Sequence, residues 1–432
     1  VISRAGGAMA DGLVTPSLPD GMATFAGPDG LTLVTRNHEL LPTEPGPFGP
    51  QATRLTAAHA ERLYDRGAPP PQAGRALHSG NPAPSGNSAP AGNSAPAGKP
   101  LPGAGGVTTI VYDTRRQETV REFLALGGTN NNCAGGPTPW GTWISCEESV
   151  DTPAETEEAG YACTQDHGYP FEVTPTAEPR LQQAVPLKAM GRFRREAVAV
   201  DPQSGAVYQT EDMDDGAFYR FLPNRPGRLA DGGRLQALVV TGRPSLDTRN
   251  WEVDRQGPAG AGQAVTPGVA MRAEWIDLDD VQSPRNDLRY RAYDAGAARF
   301  ARGEGIWWAG GGAYFACTSG GRAEIGQLWR YTPSGPCGGT LELFLEPNDS
   351  RLVHNADNLT MAPWGDLVVC EDRQGGVVRL VGVTPAGQTY TLANNTAGSE
   401  FAGVCFSPDG TTLLVNIQAE GLTIAVTGPW RA

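Results

Sequence analysis

The segment from Gly127 to Ser149, GGTNNNCAGGPTPWGTWISCEES, contains the residue types that most directly indicate chemistry. Its three asparagines offer hard oxygen donors, which suit Ca²⁺, whereas Cys133 offers a soft thiolate, which suits iron or another transition metal. Two glycines soon after the cysteine permit close approach of the backbone to a ligand. A polar loop around a buried cysteine explains the same residues, and the segment alone leaves both interpretations open.

Three acidic pairs follow apolar, strand-like runs at matching positions of a repeated pattern: Glu147-Glu148, Glu211-Asp212 and Glu371-Asp372. If the repeats are blades of one propeller, the ends of the innermost strands surround a central channel, and acids at matching ends converge there. One such pair alone would be interpreted as solvated turn residues. Three pairs at the same position of the repeat favour convergence of their side chains in the channel and predict a metal site made of several carboxylates.

Two further acids stand close to arginines. Glu196 enters an apolar run in GRFRREAV, and a buried glutamate needs a cation, either Arg194 or Arg195 or a metal ion. Arg302 lies two residues before Glu304 in FARGEGIWW, so on a strand both side chains face the same side. There the arginine could present two N–H donors to a phosphate group, although an ordinary Arg–Glu pair explains the spacing equally well.

Short polar segments at other strand ends add weaker candidates. Asp357 and Asn358, in HNADNL, are candidate metal ligands, and Glu39 ends a strand in TRNHEL. Asx-turns or caps are the simpler explanation for each of them. The chain contains no GxSxG, Walker A, GxGxxG or HExxH pattern, which argues against a serine hydrolase, a P-loop enzyme and a zincin.

Composition restricts the partners. The formal net charge of −13 argues against nucleic acid or an anionic membrane as the main partner. The sequence contains no run of 18 apolar residues, which is the pattern that would predict a membrane span. Seven cysteines leave at least one unpaired within the chain. Cys163 and Cys337 lie in loop-like surroundings and could form a disulfide, whereas Cys146, Cys317, Cys370 and Cys405 are expected to be buried.

The elements that must position these residues are predicted to be short strands. Glycine and proline together exceed a fifth of the 432 residues, which excludes a helical bundle. The repeat of two strands around a Gly-rich turn suggests propeller blades. Its copies are TWISCEES with PFEVTP, AVYQTEDMDDGAFYRFLP, AYFACTSGG with GQLWRYTP, and DLVVCEDRQGGVVRLVGVTP.

Further strands, Leu31–Thr35, Thr108–Tyr112, Val404–Phe406 and Thr412–Asn416, raise the count to about six blades of four strands. The sequence therefore predicts an all-β, six-bladed propeller with loop insertions and little helix, as one domain over residues 1–432. Residues 67–105, a Pro/Ala/Gly/Ser-rich stretch, are predicted to be a flexible insertion within it. Arg54–Arg66 is the best candidate for a helix.

Several of these segments together resemble the PhoX family of bacterial alkaline phosphatases, in its shorter members. The resemblance covers nearly the whole chain except residues 67–105, and the block CAGGPTPWGTWISCEE is its most specific part. The other matching segments are MADGL with DGMATF, TRNHEL, GRFRREAVAVDP, ARGEGIWW, NADNLTMAP and FSPDGTTLLVNIQ.

The resemblance implies a six-bladed propeller that hydrolyses phosphate monoesters at alkaline pH. Its centre would hold two iron ions, bridged by a cysteine thiolate and an oxo group, with calcium ions alongside. By position, Cys133 matches the bridging thiolate and Arg302 the phosphate-binding arginine, and both are candidate catalytic residues together with Glu304. The matching carboxylate ligands are Glu148, Glu196, Glu304 and Asp357. Further candidates, for calcium ligands or for residues that support the ligands, are Glu39, Asn132, Asp212, Asn358 and Glu371.

The resemblance also implies a location and a state of assembly. Members of the family are typically exported already folded by the twin-arginine route, so we expect a periplasmic or secreted protein. We expect a monomer, because a closed propeller needs no partner. Two positions depart from the family: Arg195 and Ala419 stand where it often has histidine, and either change could alter substrate choice or the tuning of the metal cluster.

Two other functions are compatible with these residues. One is a calcium-dependent lactonase or esterase propeller, which needs no thiolate at its metal. The other is a non-catalytic binding propeller stabilised by calcium, which would show metal-dependent stability but no turnover.

Overall fold

A computed structural model describes residues 1–68, 100–156, 160–252 and 264–430. Within these residues, all paired strands are antiparallel and form five sheets. The first contains β2 Pro19–Ala26, β3 Thr32–His38, β4 Gly105–Asp113 and β5 Glu118–Thr129. The second contains β6 Asn132–Pro137, β7 Trp143–Glu147 and β8 Pro170–Val173.

The third sheet has nine strands. One half contains β9 Arg195–Val200, β10 Val207–Glu211, β11 Tyr219–Pro223 and β12 Gly233–Val240. The other half contains β14 Gly303–Ala309, β15 Gly312–Cys317, β16 Gln327–Pro333 and β17 Gly338–Leu345. The strand β13 Ala270–Asp277 pairs with β12 and with β17 and so joins the halves.

Two four-stranded sheets complete the molecule. One contains β18 Ala356–Met361, β19 Leu367–Glu371, β20 Val378–Val383 and β21 Thr389–Asn395. The other contains β22 Phe401–Phe406, β23 Thr412–Ile417, β24 Leu422–Thr427 and β1 Ser3–Arg4. Because β1 pairs with β24, the two ends of the chain close the same sheet.

The core lies between the faces of neighbouring sheets. The two halves of the nine-stranded sheet pack on each other through buried aromatic residues, with Phe218 stacked on Phe315 at a ring-centroid distance of 4.4 Å. Tyr208 and Trp329 belong to the same buried cluster. Such packing requires that the sheet folds back on itself at β13, whose side chains are mostly exposed or half-buried.

The predicted all-β fold with little helix and a propeller-like arrangement of sheets is confirmed. Hydrogen bonding groups the strands into five sheets rather than six separate ones, because β13 bridges two four-stranded halves. The helices of the described part are α1 Ala57–Ala60, α2 Leu288–Asp294 and the 3₁₀ turns Pro28–Gly30, Pro50–Ala52, Lys188–Met190 and Leu229–Asp231. No helix among the described residues is long and apolar enough to cross a membrane.

The predicted helix Arg54–Arg66 is wrong beyond its single turn α1. The backbone N–H groups of Tyr64 and Asp65 donate to the carbonyls of Gly127 and Gly128, so bonds to the end of β5 replace the helical ones. Most of the predicted insertion over residues 67–105 lies outside the described residues. At its end, residues 101–104 are buried, and Gly105 opens β4.

Candidate metal centre

Six strands share one irregularity and form a closed ring. In β2, β6, β9, β14 and β18 the register with the neighbouring strand shifts just after the first residue of the strand, and in β22 it shifts just after the second. Each of these strands contacts the next in that order, and β22 contacts β2. A bulge turns side chains away from the regular alternation, and here it does so at the same place around the ring.

The second residue of five of these strands can bind a metal. These residues are Asp20, Cys133, Glu196, Glu304 and Asp357, and at the matching place relative to its register shift β22 has Gly403. Their ligand atoms form overlapping groups, in each of which all atoms lie within 4.8 Å of one another: Asp20 with Glu39 and Cys133, Cys133 with Glu148 and Glu196, and Glu196 with Glu304 and Asp357. The ring therefore brings together acids that are more than 300 positions apart in sequence.

The residue that directly follows the second strand of each set adds further polar groups. After β3, β7, β10, β15, β19 and β23 these residues are Glu39, Glu148, Asp212, Thr318, Asp372 and Gln418. The amide of Gln418 donates to Asp20 Oδ2 at 2.6 Å and to Glu39 Oε2 at 2.8 Å. Asn131, which sits at the left-handed φ of +49°, donates to Glu148 Oε2 at 2.9 Å.

In each predicted acidic pair, the first acid forms hydrogen bonds within its own blade and the second acid faces the centre. The first acid is the last residue of its strand, and its carboxylate accepts a backbone N–H from the segment that leads into another strand of the same sheet. Thus Gly168 N–H donates to Glu147, Ala217 N–H to Glu211, and His354 N–H to Glu371. The second acid of each pair, Glu148, Asp212 or Asp372, faces the centre.

This pattern separates the predicted ligands into two sets. The structure brings together Cys133, Glu148, Glu196, Glu304, Asp357, Glu39 and Asp212. It places Asn132 and Glu371 elsewhere, whereas Asn358 touches the set through its amide nitrogen, which donates to Asp357 Oδ1 at 3.2 Å. Asn132 is buried in its blade, where its amide donates to Ser145, Asn358 Oδ1 accepts from Gly403 N–H, and Glu371 pairs with Arg379.

Some central residues were not predicted as ligands: Asp20, Asp372, Glu400 and Gln418. A signal existed for Asp20, because the matching segment DGMATF begins with it and it occupies the strand position that Cys133 occupies in β6. Asp372 stands beside the predicted Glu371. Glu400 precedes β22 and carries no comparable signal, although burial and Asp372 raise the pKa of its carboxyl well above the usual range.

The electrostatics of the centre favour bound cations. Burial, reinforced by neighbouring acids, raises the pKa of Asp20 and Glu196 well above their usual range, and burial raises the pKa of Glu39 and Asp357 to about 7. Burial, Asp20 and Glu196 likewise raise the pKa of the Cys133 thiol. Among the described residues, Asp20 Oδ1 and Glu196 Oε1 are buried without a hydrogen-bond partner. Buried oxygens without partners are costly, so this donor set fits a cluster of metal ions.

Arg302 brings positive charge to the edge of this cluster. Its Nε and Nη2 atoms lie 2.7 and 2.9 Å from the two carboxylate oxygens of Asp212, and Nη2 is 3.0 Å from Glu304 Oε1. Its φ of +52° is held by backbone hydrogen bonds to Met213 and Thr318. Although burial opposes it, pairing with Arg302 lowers the pKa of Asp212. A second guanidinium, that of Arg194, lies 3.6 Å from Glu148.

The positions that depart from the family have separate roles. Arg195 does not pair with Glu196; its guanidinium donates to the carbonyls of Gly168, Met190 and Gly191, away from the cluster. Ala419 donates its N–H to Ser399 Oγ at 3.0 Å.

The cysteines also differ in their surroundings. All seven are free thiols, so Cys163 and Cys337 form no disulfide: Cys163 is buried and Cys337 is exposed. The four other predicted buried cysteines are buried.

Close packing of the ring depends on small residues that follow the ligands. A Cβ atom on Gly21 would lie 2.5 Å from the Cα of Ala134, which is closer than real contacts allow. We expect Gly21→Ala to destabilise the protein by about 1–3 kcal/mol and to lower its metal content, because β2 must move away from β6. Urea unfolding and elemental analysis measure both effects.

A matched control lies on the same strand. Ala26 is exposed at the far end of β2, and Ala26→Val should change stability by less than about 0.5 kcal/mol. Equal metal content and stability in Gly21→Ala and wild type would contradict the proposed close approach.

The comparisons with known proteins agree with this geometry. The family model described as alkaline phosphatase PhoX matches residues 100–421. The fold is similar to that of Pseudomonas fluorescens PhoX in complex with vanadate, a transition state analogue, with a TM-score of 0.63 and 17% identity, over 97% of this chain and 89% of that chain. No curated protein sequence matches the chain.

Weaker structural likenesses involve two gluconolactonases. That from Xanthomonas campestris has a TM-score of 0.37 and 12% identity, over 74% of this chain and 78% of the other. The periplasmic gluconolactonase of Pseudomonas aeruginosa has a TM-score of 0.39 and 15% identity, over 74% and 88%. Neither bears on function. The family match, by contrast, covers far more than half of the sequence and confirms the resemblance, and the chain belongs to the family of PhoX alkaline phosphatases.

Proposed function

We propose that this PhoX-type phosphatase hydrolyses phosphate monoesters with a cluster of metal ions at the centre of a six-bladed propeller. The closed ring of β2, β6, β9, β14, β18 and β22 supports six blades. On this reading the nine-stranded sheet is two blades, and β13 is an extra strand that joins their outer edges. The strand β1 then completes the last blade by pairing with β24.

The proposal rests on one observation: a thiol and several carboxylates converge where the six strands meet. We assign iron to the part around Cys133, because a thiolate among carboxylates suits a transition metal, with Glu148 and Glu196 on one side of it. Two iron ions would share the thiolate. Calcium, which prefers oxygen alone, is assigned to the carboxylates around Asp357 and Glu39. When bound, such ions supply the Lewis acidity that polarises a phosphoryl group.

Arg302 is proposed to hold the phosphoryl group of the substrate. The Asp212 carboxylate fixes the plane of its guanidinium through Nε and Nη2, which leaves Nη1 outside this pair, 4.0 Å from Asp372. Its side chain is 27% exposed, so a substrate can reach it from solvent. N–H donors placed in this way stabilise the negative charge on the equatorial oxygens during phosphoryl transfer.

Elemental analysis of natively purified protein, together with turnover of p-nitrophenyl phosphate, tests this function. We expect iron near two per chain, calcium, and turnover that rises at alkaline pH and falls with chelators. Calcium without iron, and hydrolysis of a lactone but not of the phosphate ester, would favour the lactonase instead. Calcium without turnover on either substrate would favour a binding propeller.

We also propose that the protein acts outside the cytoplasm as a monomer. Family membership supports the location, because members of the family are expected to be exported by the twin-arginine route. Closure of the six-strand ring within one chain supports the monomer. Fractionation of the native host and light scattering of the purified protein test the two statements separately.

Without metal, the central acids should make stability depend on pH. The folded pKa of Glu39 and Asp357 is about 7, above the usual 4.5 and 3.8, so the folded chain binds these protons more tightly than the unfolded chain. The free energy of unfolding contributed by the pair is therefore fully present at low pH and is lost as pH rises toward 7, by about 1.4 kcal/mol for each unit of pKa difference.

The measurement is urea unfolding with chelator across this pH range, for wild type and for a variant with Glu39→Gln and Asp357→Asn. The difference between the free energies of unfolding of the two proteins removes the contribution of other titrating groups. We expect the variant to gain stability relative to wild type as pH rises, and excess metal to reverse the gain. A difference that does not change with pH would contradict the prediction.

A further inference from the structure

A second group of metal-binding side chains lies buried on the outer side of Glu147. It consists of Asp65, Cys163 and His167, whose ligand atoms all lie within 4.8 Å of one another. Their exposed fractions are 2%, 5% and 0%. Neither the proposed phosphatase chemistry nor the central cluster uses these residues.

The histidine of this group is oriented as a metal ligand would be. Its Nδ1 atom lies 2.6 Å from Glu147 Oε1, and its Nε2 atom faces Asp65 Oδ2 at 3.1 Å. A carboxylate that accepts the N–H of one ring nitrogen leaves the lone pair of the other nitrogen directed at a metal. Glu147 is itself fixed by the backbone N–H groups of Asn130 and Gly168, so the ring cannot easily turn.

Asn130 provides an independent indication of a ligand. The residue is fully buried, and its amide nitrogen lies 3.8 Å from Cys163 Sγ, so its side chain points into the group. Within the described part of the chain, its Oδ1 atom has no hydrogen-bond partner. Buried amide oxygens are nearly always satisfied, and a cation or a water bound to it would satisfy this one.

We propose that Cys163, His167 and Asp65 bind one divalent cation of the zinc class, with Asn130 Oδ1 or a water as fourth ligand. One thiolate, one imidazole and one carboxylate around a compact site suit tetrahedral Zn²⁺ rather than calcium. Binding releases the thiol proton of Cys163 and the Nε2 proton of His167 to solvent, so the charge of the cation replaces that of the protons.

A cation in this site would stabilise the backbone next to the phosphatase centre. Glu147 is followed by Glu148, and Asn130 is followed by Asn131, which donates to Glu148. A cation that fixes His167 and Asn130 therefore fixes the loop that leads to Cys133. This role does not depend on the proposed reaction and can be tested without measuring turnover.

The test is titration with Co²⁺ of the full chain carrying Cys133→Ser, in which the central cluster has lost its thiol. We expect a thiolate-to-cobalt charge-transfer band and the intense visible bands of tetrahedral Co²⁺, saturating at one ion. Zn²⁺ should then displace the cobalt. Adding Cys163→Ser should abolish the band, whereas Cys337→Ser, which changes an exposed thiol, should leave it unchanged.

X-ray absorption at the zinc edge of the Zn²⁺-loaded Cys133→Ser protein gives a second readout if Cys163→Ser does not fold. One sulfur neighbour together with imidazole scattering supports the site. A zinc shell without sulfur, no charge-transfer band, or a band that persists in Cys163→Ser would overturn it and leave His167 as an ion-paired structural residue.

Discussion

Replacing Cys133 by alanine is expected to lower turnover of p-nitrophenyl phosphate by roughly 10³-fold or more while the chain stays folded. The thiol belongs to two groups of ligand atoms at once, one with Asp20 and Glu39 and one with Glu148 and Glu196. No other residue of the described cluster offers sulfur, so its loss should lower iron content while oxygen-bound calcium remains.

Three measurements check this prediction: turnover, iron and calcium per chain, and circular dichroism to show that the fold is intact. Cys337→Ala is the matched control, because this thiol is exposed and belongs to none of the groups of metal-binding side chains, and it should keep both turnover and iron. A folded Cys133→Ala protein that hydrolyses the ester as fast as wild type would disprove the proposed centre.

Local motifs in the sequence predicted the family and the phosphatase activity, and both are confirmed. Cys133, Glu196, Glu304 and Asp357 were predicted from separate segments and meet in the structure, because each is the second residue of a ring strand. Asp20 has the same position but was missed, since no copy of the repeat was recognised around β2. If the repeat pattern had been recognised in β2 as well, Asp20 would have been predicted as a ligand.

The choice within each acidic pair could not be made from the sequence. Strand alternation predicts that neighbours face opposite sides, but it does not say which of the two faces the channel. Glu371 was predicted as a ligand, yet it is the strand's last residue and accepts bonds from His354 and Arg379, so Asp372 faces inward. For the same reason Asn131 reaches Glu148, while Asn132 turns into its blade.

Elements that depend on distant contacts were also beyond the sequence. The helix predicted over Arg54–Arg66 does not continue beyond α1, because its last residues form hydrogen bonds with Gly127 and Gly128, which are more than 60 residues away. The bridging strand β13 has a half-exposed pattern, and its pairing with both β12 and β17 depends on how the two halves of the sheet fold together. Propensity is a weak guide where such contacts decide.

The second large effect is expected for Arg302→Lys, which should lower kcat/KM for p-nitrophenyl phosphate by about 10²-fold without loss of metal. Lysine keeps the positive charge but lacks the planar fork that pairs with both oxygens of Asp212 and still leaves Nη1 as a further donor. If the arginine acts on the transition state, the loss should appear mainly in kcat.

Affinity for vanadate, the ligand in the Pseudomonas fluorescens PhoX structure, should fall in parallel. Arg116→Lys serves as the control, because this side chain is 75% exposed and pairs with Asp113 at the surface. The alternative is that Arg302 only neutralises Asp212 and Glu304. Lysine would satisfy that need equally well, so near-normal turnover and vanadate affinity in Arg302→Lys would assign the arginine to structure rather than to phosphate binding.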